Sequence, residues 1–194
     1  MLIVGTDGTA VETDLIGHRL VCPTCASVLR PWGHGIAREV RLLVGGERRR
    51  FRRSICSGCA VTHVLVPEDT LVRRRDAAEV IGAALVAKAN GSGHRRIALA
   101  LGRPPSTVRG WLRRFATVAI AVREHFTRWA TVFDPAHDRR SSGGSDLFDA
   151  VEAVGMLGVV AVRRLGPRSP WSMASFLTGG HLLSNTSSPW VAPV

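Results

Sequence analysis

Four cysteines in two matched pairs, Cys22-Pro-Thr-Cys25 and Cys56-Ser-Gly-Cys59, constrain this chain more than any other feature. A CxxC turn bends so that both sulfurs face one point. Two such turns facing each other supply four thiolates, enough for a closed tetrahedral zinc site. A redox CxxC of the thioredoxin type would want a strand–helix–strand setting, which surrounds neither pair. Buried structural thiols without a metal would not be expected to fall into two matching pairs. Catalytic zinc needs an open position, whereas four sulfurs close the site. The sequence therefore predicts structural Zn(2+) on Cys22, Cys25, Cys56 and Cys59. His34 and His63 lie near the knuckles and are read as surface or neighbouring residues, because four thiolates suffice.

Thirty residues separate the pairs, more than the commonest ribbon spacing, and the intervening sequence explains the length. Residues 38–44 alternate as a strand does, Gly45-Gly46 makes a hairpin turn, and residues 47–55 return. Residues 61–66 read as a third short strand. The return strand carries Arg48, Arg49, Arg50, Arg52 and Arg53 around Phe51. Alternation sends Arg48, Arg50 and Arg52 to one face, and Arg49, Phe51 and Arg53 to the other. Such density needs either an anionic partner or extensive solvation. Phosphate contacts from Arg48, Arg50 and Arg52 are the favoured expectation.

Residues 94–113, HRRIALALGRPPSTVRGWLR, read as two short helices meeting at a glycine turn. Ile97, Ala98 and Leu101 lie on one face of the first. Gly102 suits an abrupt helix stop, and Pro104 and Pro105 suit the first turn of the next helix. Val108, Trp111 and Leu112 give the second helix its buried stripe. Ser106, Arg109, Gly110 and Arg113 make a small and polar opposite face, able to approach base edges closely. The bland alternative is an ordinary helical hairpin in a small core. The sharper expectation is a recognition helix offering Ser106, Thr107, Arg109 and Arg113 to a major groove, with Arg95, Arg96, Arg103 and Arg114 on phosphates.

Charge placement points the same way. The 194-residue chain has a formal net charge of +11, and Lys88 is the only lysine among its 26 basic residues. A GC-rich genome would favour arginine over lysine, but codon bias does not decide where charge sits. Residues 30–75 and 94–130 each carry +7, while the other segments are neutral or weakly acidic. Two concentrated basic blocks suit double-stranded DNA better than a scattered solvated surface would. No secretory signal is visible, and the most apolar run, residues 153–162, is too short to span a bilayer. A cytoplasmic, nucleoid-associated protein without membrane partners is expected, with disulfides disfavoured by the reducing compartment.

The fold class expected is α+β. A zinc ribbon with an N-terminal lead-in occupies residues 1–67, with a helical turn over 11–16. A mainly α, homeodomain-like helix-turn-helix domain follows over 68–130. Its first helix, 77–89, is capped by Asp76 with Glu79 completing a capping box. A further helix over 116–130 continues from the recognition helix with little break, its apolar stripe suited to packing or to a homodimer. Residues 131–145 read as a linker. A helix from Asp146 to about Leu165 and an irregular tail, partly helical over 171–183, complete the chain.

The order of CPTC, basic hairpin, CSGC, THVLVP and helix–turn–helix resembles the N-terminal DNA-recognition half of bacterial insertion-sequence transposases. It is more similar still to small bacterial helix-turn-helix proteins that keep this half and lack the nuclease domain. The resemblance covers residues 18–130, with matching features at 169–171 and 179–183. It implies zinc at the four cysteines and DNA contact through the helix over 105–114. Full transposases add an acidic triad on a ribonuclease-H-like domain. Here only Asp134, Asp138, Asp146, Asp149 and Glu152 follow the helices, without credible strands. Sequence-specific DNA binding without catalysis is the expectation. The rivals are a targeting subunit whose transposase catalytic subunit is another chain, and an RNA-binding or protein-docking zinc module.

Overall fold

The computed structural model describes residues 1–137 and 143–184. Part of the expected linker, 138–142 with Asp138, and the end of the tail, 185–194, lie outside the described residues. The elements run β1 (Leu2–Val4), α1 (Gly8–Ile16), β2 (Leu29–His34), β3 (Arg38–Arg41), β4 (Gly46–Arg49), β5 (Arg52–Cys56) and β6 (Thr62–Pro67). The helices α2 (Ala78–Ala89), α3 (His94–Leu101), α4 (Pro105–Phe133), α5 (Asp146–Leu165) and α6 (Pro170–Leu177) follow. The class is α+β. No helix among the described residues is long and apolar enough to cross a membrane.

A four-stranded sheet takes the order β1-β6-β5-β2. β1 lies parallel to β6, while β5 runs antiparallel to both β6 and β2. The expected lead-in is thus a strand and a complete helix. The Asp7 carboxylate caps α1, accepting from the Thr9 N–H at 2.9 Å and the Ala10 N–H at 3.2 Å. Leu15 on α1 then packs with Leu29 and Leu65 of the sheet and with Cys22 and Cys56.

The expected return strand is corrected to two strands in two different sheets. β4 pairs with β3 as a separate hairpin, with Arg38 opposite Arg49 and Arg41 opposite Gly46. β5 pairs with β2 and β6. The chain breaks between them at Arg50 and Phe51 because Phe51 is buried in the main core, with the Arg38 guanidinium 4.0 Å above its ring. The predicted alternation of Arg48, Arg50 and Arg52 on one face therefore does not form. The hairpin turn also shifts: Gly46 belongs to β4, and the loop lies over Leu43, Val44 and Gly45.

Asp76 does not cap α2, which starts after Ala77 with no side-chain cap. The capping box with Glu79 is likewise absent, and Glu79 is half-buried instead. Asp76 is drawn away by an ion pair described below. The backbone beside it is tied to the hairpin, with the Arg41 N–H donating to Arg75 O at 2.7 Å and the Ala77 N–H to Arg41 O at 2.9 Å.

The two helices expected over 105–130 are one helix, α4, of 29 residues. Ser145 rather than Asp146 caps α5, its hydroxyl accepting from the Phe148 N–H at 3.3 Å. α5 packs along α4, and α6 packs on α2 and α5. Gly82 on α2 leaves the space that the Trp171 ring fills. The chain after α6 returns to the loop before α2: Gly180 O accepts from the Val72 N–H at 2.9 Å, and Ser175 donates its hydroxyl to Thr70 O at 2.9 Å. Val40, Phe51, Ile81, Trp111, Leu157 and Leu183 accordingly share one core.

Candidate metal centre and nucleic-acid interface

The two CxxC turns fold the same way, atom for atom along the backbone. The Cys22 N–H donates to Ser27 O at 2.8 Å, and the Cys56 N–H to Val61 O at 3.0 Å. Ala26 and Ala60, each just after the second cysteine of its pair, both stand at φ 58° and donate back to Cys22 O and Cys56 O. Backbone N–H groups point at sulfur in both turns, Thr24 toward Cys22 Sγ at 3.4 Å and Gly58 toward Cys56 Sγ at 3.3 Å. β-sheet pairing then sets the turns face to face.

All four sulfurs lie within 4.8 Å of one another, with Cys22 and Cys59 at 3.8 Å and Cys25 and Cys56 at 3.4 Å. Four thiolates about 2.3 Å from one tetrahedral ion would stand about 3.8 Å apart, so these residues fit a metal ion. Cys22 and Cys56 are the buried members of their pairs, and Cys25 and Cys59 are the exposed ones. Hydrogen bonds from the Ser27 backbone and side chain, with help from Cys56, hold the Cys25 thiol down at about 6. The backbone at Val61 favours the Cys59 thiolate too, but the crowding of Cys56, Cys25 and Cys22 pushes that thiol up to about 12. Without a cation the quartet cannot carry four negative charges; a divalent ion removes that conflict.

His63 is 3% exposed, and its Nε2 stands 3.4 Å from Cys22 Sγ. It therefore contacts a sulfur from outside the quartet, as metal-site neighbours commonly do. His34, by contrast, is exposed at the end of β2, opposite Arg52 and away from the knuckles.

The second candidate surface is built where α3 meets α4. Gly102 ends α3 at φ 60°, ψ 39°, a left-handed conformation that favours glycine. Pro105 then opens α4, whose Val108, Trp111, Leu112 and Phe115 are buried. Ser106, Arg109 and Arg113 are exposed, with Thr107 and Gly110 half-buried between them. Arg95 and Arg96 on α3 are exposed as well. Arg95 and Arg96 thus lie on the helix that packs against the one carrying Ser106, Thr107, Arg109, Gly110 and Arg113.

Three of the expected contact arginines have other commitments. Arg103 donates from Nε to Asp76 at 2.5 Å and from Nη2 to Leu42 O at 2.8 Å, which takes it out of the free phosphate-binding set. Arg52 makes a two-pronged pair with Glu12 at 2.7 and 2.8 Å and also donates to Gly33 O. Arg114 is half-buried and donates to Gly110 O at 3.3 Å. Arg49 is similarly tied to Asp69, at 2.7 Å, and to Glu47. Arg48 and Arg50 remain exposed.

The chain matches no family model, no curated protein and no solved structure. Its own geometry therefore carries the functional reading. Sequence reasoning missed Asp76 as a link in the site. The available signal was a lone acid following Arg73, Arg74 and Arg75 at the edge of a basic block.

Proposed function

We propose that this protein binds double-stranded DNA through a helix-turn-helix formed by α3 and the first turns of α4, stiffened by a structural zinc ion on Cys22, Cys25, Cys56 and Cys59. One observation carries the reading. The N-terminal turns of α4 bury Val108, Trp111 and Leu112 while presenting Ser106, Arg109 and Arg113 outward around a glycine. That face is narrow, cationic and uncrowded, as a helix entering a major groove must be. Arg95 and Arg96, exposed on the preceding helix, would hold phosphates, and Arg48 and Arg50, exposed on and just after β4, would extend the basic surface onto the hairpin. Recognition without catalysis is the reading adopted. Of the acids after α4, Asp134 and Asp149 are engaged with arginines, Arg163 and Arg123 respectively.

The test is anisotropy of the metal-loaded protein with a labelled mixed-sequence duplex and with a structured RNA hairpin, across a salt series. Duplex binding whose logarithm falls steeply with log salt is expected, tighter than to the RNA. Selection from a random duplex pool then yields a preferred site. Equal affinity for the hairpin, or recovery of no preferred duplex, would count against the reading.

A further inference from the structure

The β3–β4 hairpin ends in a feature that neither its turn nor the core requires. Its loop is closed by the Leu42 N–H donating to Gly45 O at 3.0 Å, with Gly45 at φ 72°. Loops of this length that end in a left-handed glycine are common, and their leading positions favour Asn, Asp, Ser or Pro. Here those positions hold Leu43 and Val44. Leu42 packs on the main core, whereas Leu43 is 54% exposed and Val44 90%. Single exposed apolar side chains are ordinary. Two in succession at a hairpin tip, in a segment as basic as the one that carries α3 and the head of α4, call for a partner.

The position of the tip identifies that partner. Leu42 O accepts from Arg103 Nη2 at 2.8 Å, and Arg103 sits between Gly102 and Pro104 at the head of α4. The tip thus begins one residue from the turn that launches the proposed reading helix. Arg48 stands exposed on β4, and Arg50 follows just beyond it. Acids are present on the hairpin too: Glu39 opposes Arg48, and Glu47 binds Arg49. Neither acid is at the tip itself, which carries no charge.

We propose that Leu43 and Val44 form a wedge that enters the minor groove of duplex DNA, next to the major-groove segment occupied by α4, and parts one base step. This rests on the DNA-binding reading above. An element beside the head of a major-groove helix meets the phosphate backbone, and the groove beyond that backbone is the minor one. The minor groove offers a degenerate pattern of donors and acceptors, so hydrogen-bonding side chains gain little specificity there. Proteins that bind it insert apolar side chains between base steps and kink the duplex. A two-stranded ribbon with an uncharged tip of leucine and valine, and arginines further back for the phosphates, has the required shape and chemistry. The ties from Arg103 to Leu42 and Asp76 fix the tip to the helix, so both reach the duplex together.

The probe is the duplex that the metal-loaded wild-type protein selects from a random pool. It carries 2-aminopurine at successive positions to report unstacking and a dye pair on its ends to report bending. Wild-type binding should brighten one step and shorten the end-to-end distance. The variant Leu43→Ser/Val44→Ser should keep the wild-type circular dichroism and metal content, bind roughly tenfold more weakly, and brighten no step. Val44→Ser alone, at a side chain already almost wholly in solvent, reads the same loss should the double variant fold poorly. Wild-type binding with no bright step at any position overturns the wedge and leaves DNA binding standing. So does a variant that brightens and bends the duplex as the wild type does, the result expected if the tip docks on a protein. Failure of the wild-type protein to select any duplex overturns both.

Discussion

Arg103 and Asp76 form a nearly enclosed ion pair, 2.5 Å between Nε and Oδ1, with side chains only 11% and 6% exposed. The pair joins the α3–α4 turn to the start of α2, and the same guanidinium reaches the hairpin through Leu42 O. It is an internal rivet rather than a phosphate contact. Removing one member strands a charge away from water, so Asp76→Ala should lower stability by about 3 kcal/mol in urea unfolding. Replacing both, with Asp76→Leu and Arg103→Met, should recover most of that loss. A double variant as unstable as the single one would show that packing, not charge, holds this corner.

Metal removal should act on the sheet and spare the helices. The quartet shares its core with Leu15, Leu29 and Leu65, whereas Phe115, Phe126 and Leu157 belong to the other core. In small metal domains the binding free energy is folding free energy. Native mass spectrometry should find one zinc ion per chain. Chelation should collapse the amide dispersion of α1, the two cysteine turns and the strands β2 and β5 beside them, while the β3–β4 hairpin, which packs on the other core, and most helical circular dichroism persist. A sheet whose amide spectrum ignores chelator would refute the structural-metal assignment.

Arg109→Ala should cost about 1–3 kcal/mol on the selected duplex and relax base preference at one position. Arg96→Ala should weaken binding to every duplex alike and reduce the salt slope by about 1. Arg52→Ala should instead lower stability, because Arg52 is tied to Glu12 and Gly33. Identical binding profiles for the Arg109 and Arg96 variants would remove the distinction between reading and holding.

Gly110 offers a sharper probe of the same face. A Cβ there would meet only the Arg114 Nη1 atom, at 3.0 Å, the far end of a flexible side chain. The protein's own packing thus does not demand glycine. Gly110→Ala should stabilise α4 by up to about 1 kcal/mol in thermal unfolding, and it should weaken duplex binding by crowding the approach. Tighter binding by this variant would mean that the groove does not come near position 110.

Acid should loosen the junction of α4 and α6. His125 is 2% exposed, and its Nε2 lies 3.3 Å from Leu177 O. Burial pushes the imidazole below its usual value, and the Leu177 carbonyl only partly opposes this. The unfolded chain then takes up a proton first. Stability from this group is fully present above about 6.5 and is lost as pH falls through that value toward the folded one. Urea midpoints should decline from pH 7.5 to 5.5. His125→Gln should flatten that slope in part, since His181 is depressed by burial with the same sign. An unchanged slope would exclude His125 as the acid-sensitive group.

The cysteine turns and the α3–α4 junction were legible because each depends on a few neighbouring residues. CxxC spacing dictates a knuckle, and Gly102 with Pro104 and Pro105 dictates a stop and a start. What sequence missed depends on distant partners. β1 has three residues and pairs with β6 more than sixty positions later. The strand break at Arg50 and Phe51 follows from the core taking Phe51, which outranks alternation. Arg52 and Arg103 look as free as their neighbours, yet their acids lie 40 and 27 residues away. Arginine-rich sequence announces cationic character but not which guanidinium turns inward.

α4 runs unbroken for 29 residues, about 43 Å, with one face of its first turns exposed and its later turns packed along α5, where Arg123 meets Asp149. Its two ends are consequently locked in rotational phase. Adding or deleting one residue near Thr117 would swing Arg109 and Arg113 about 100° around the axis relative to Phe126. Such an insertion would silence or redirect the protein while leaving every side chain of the exposed face intact, so evolution can retune this molecule by substitution far more readily than by changes in length.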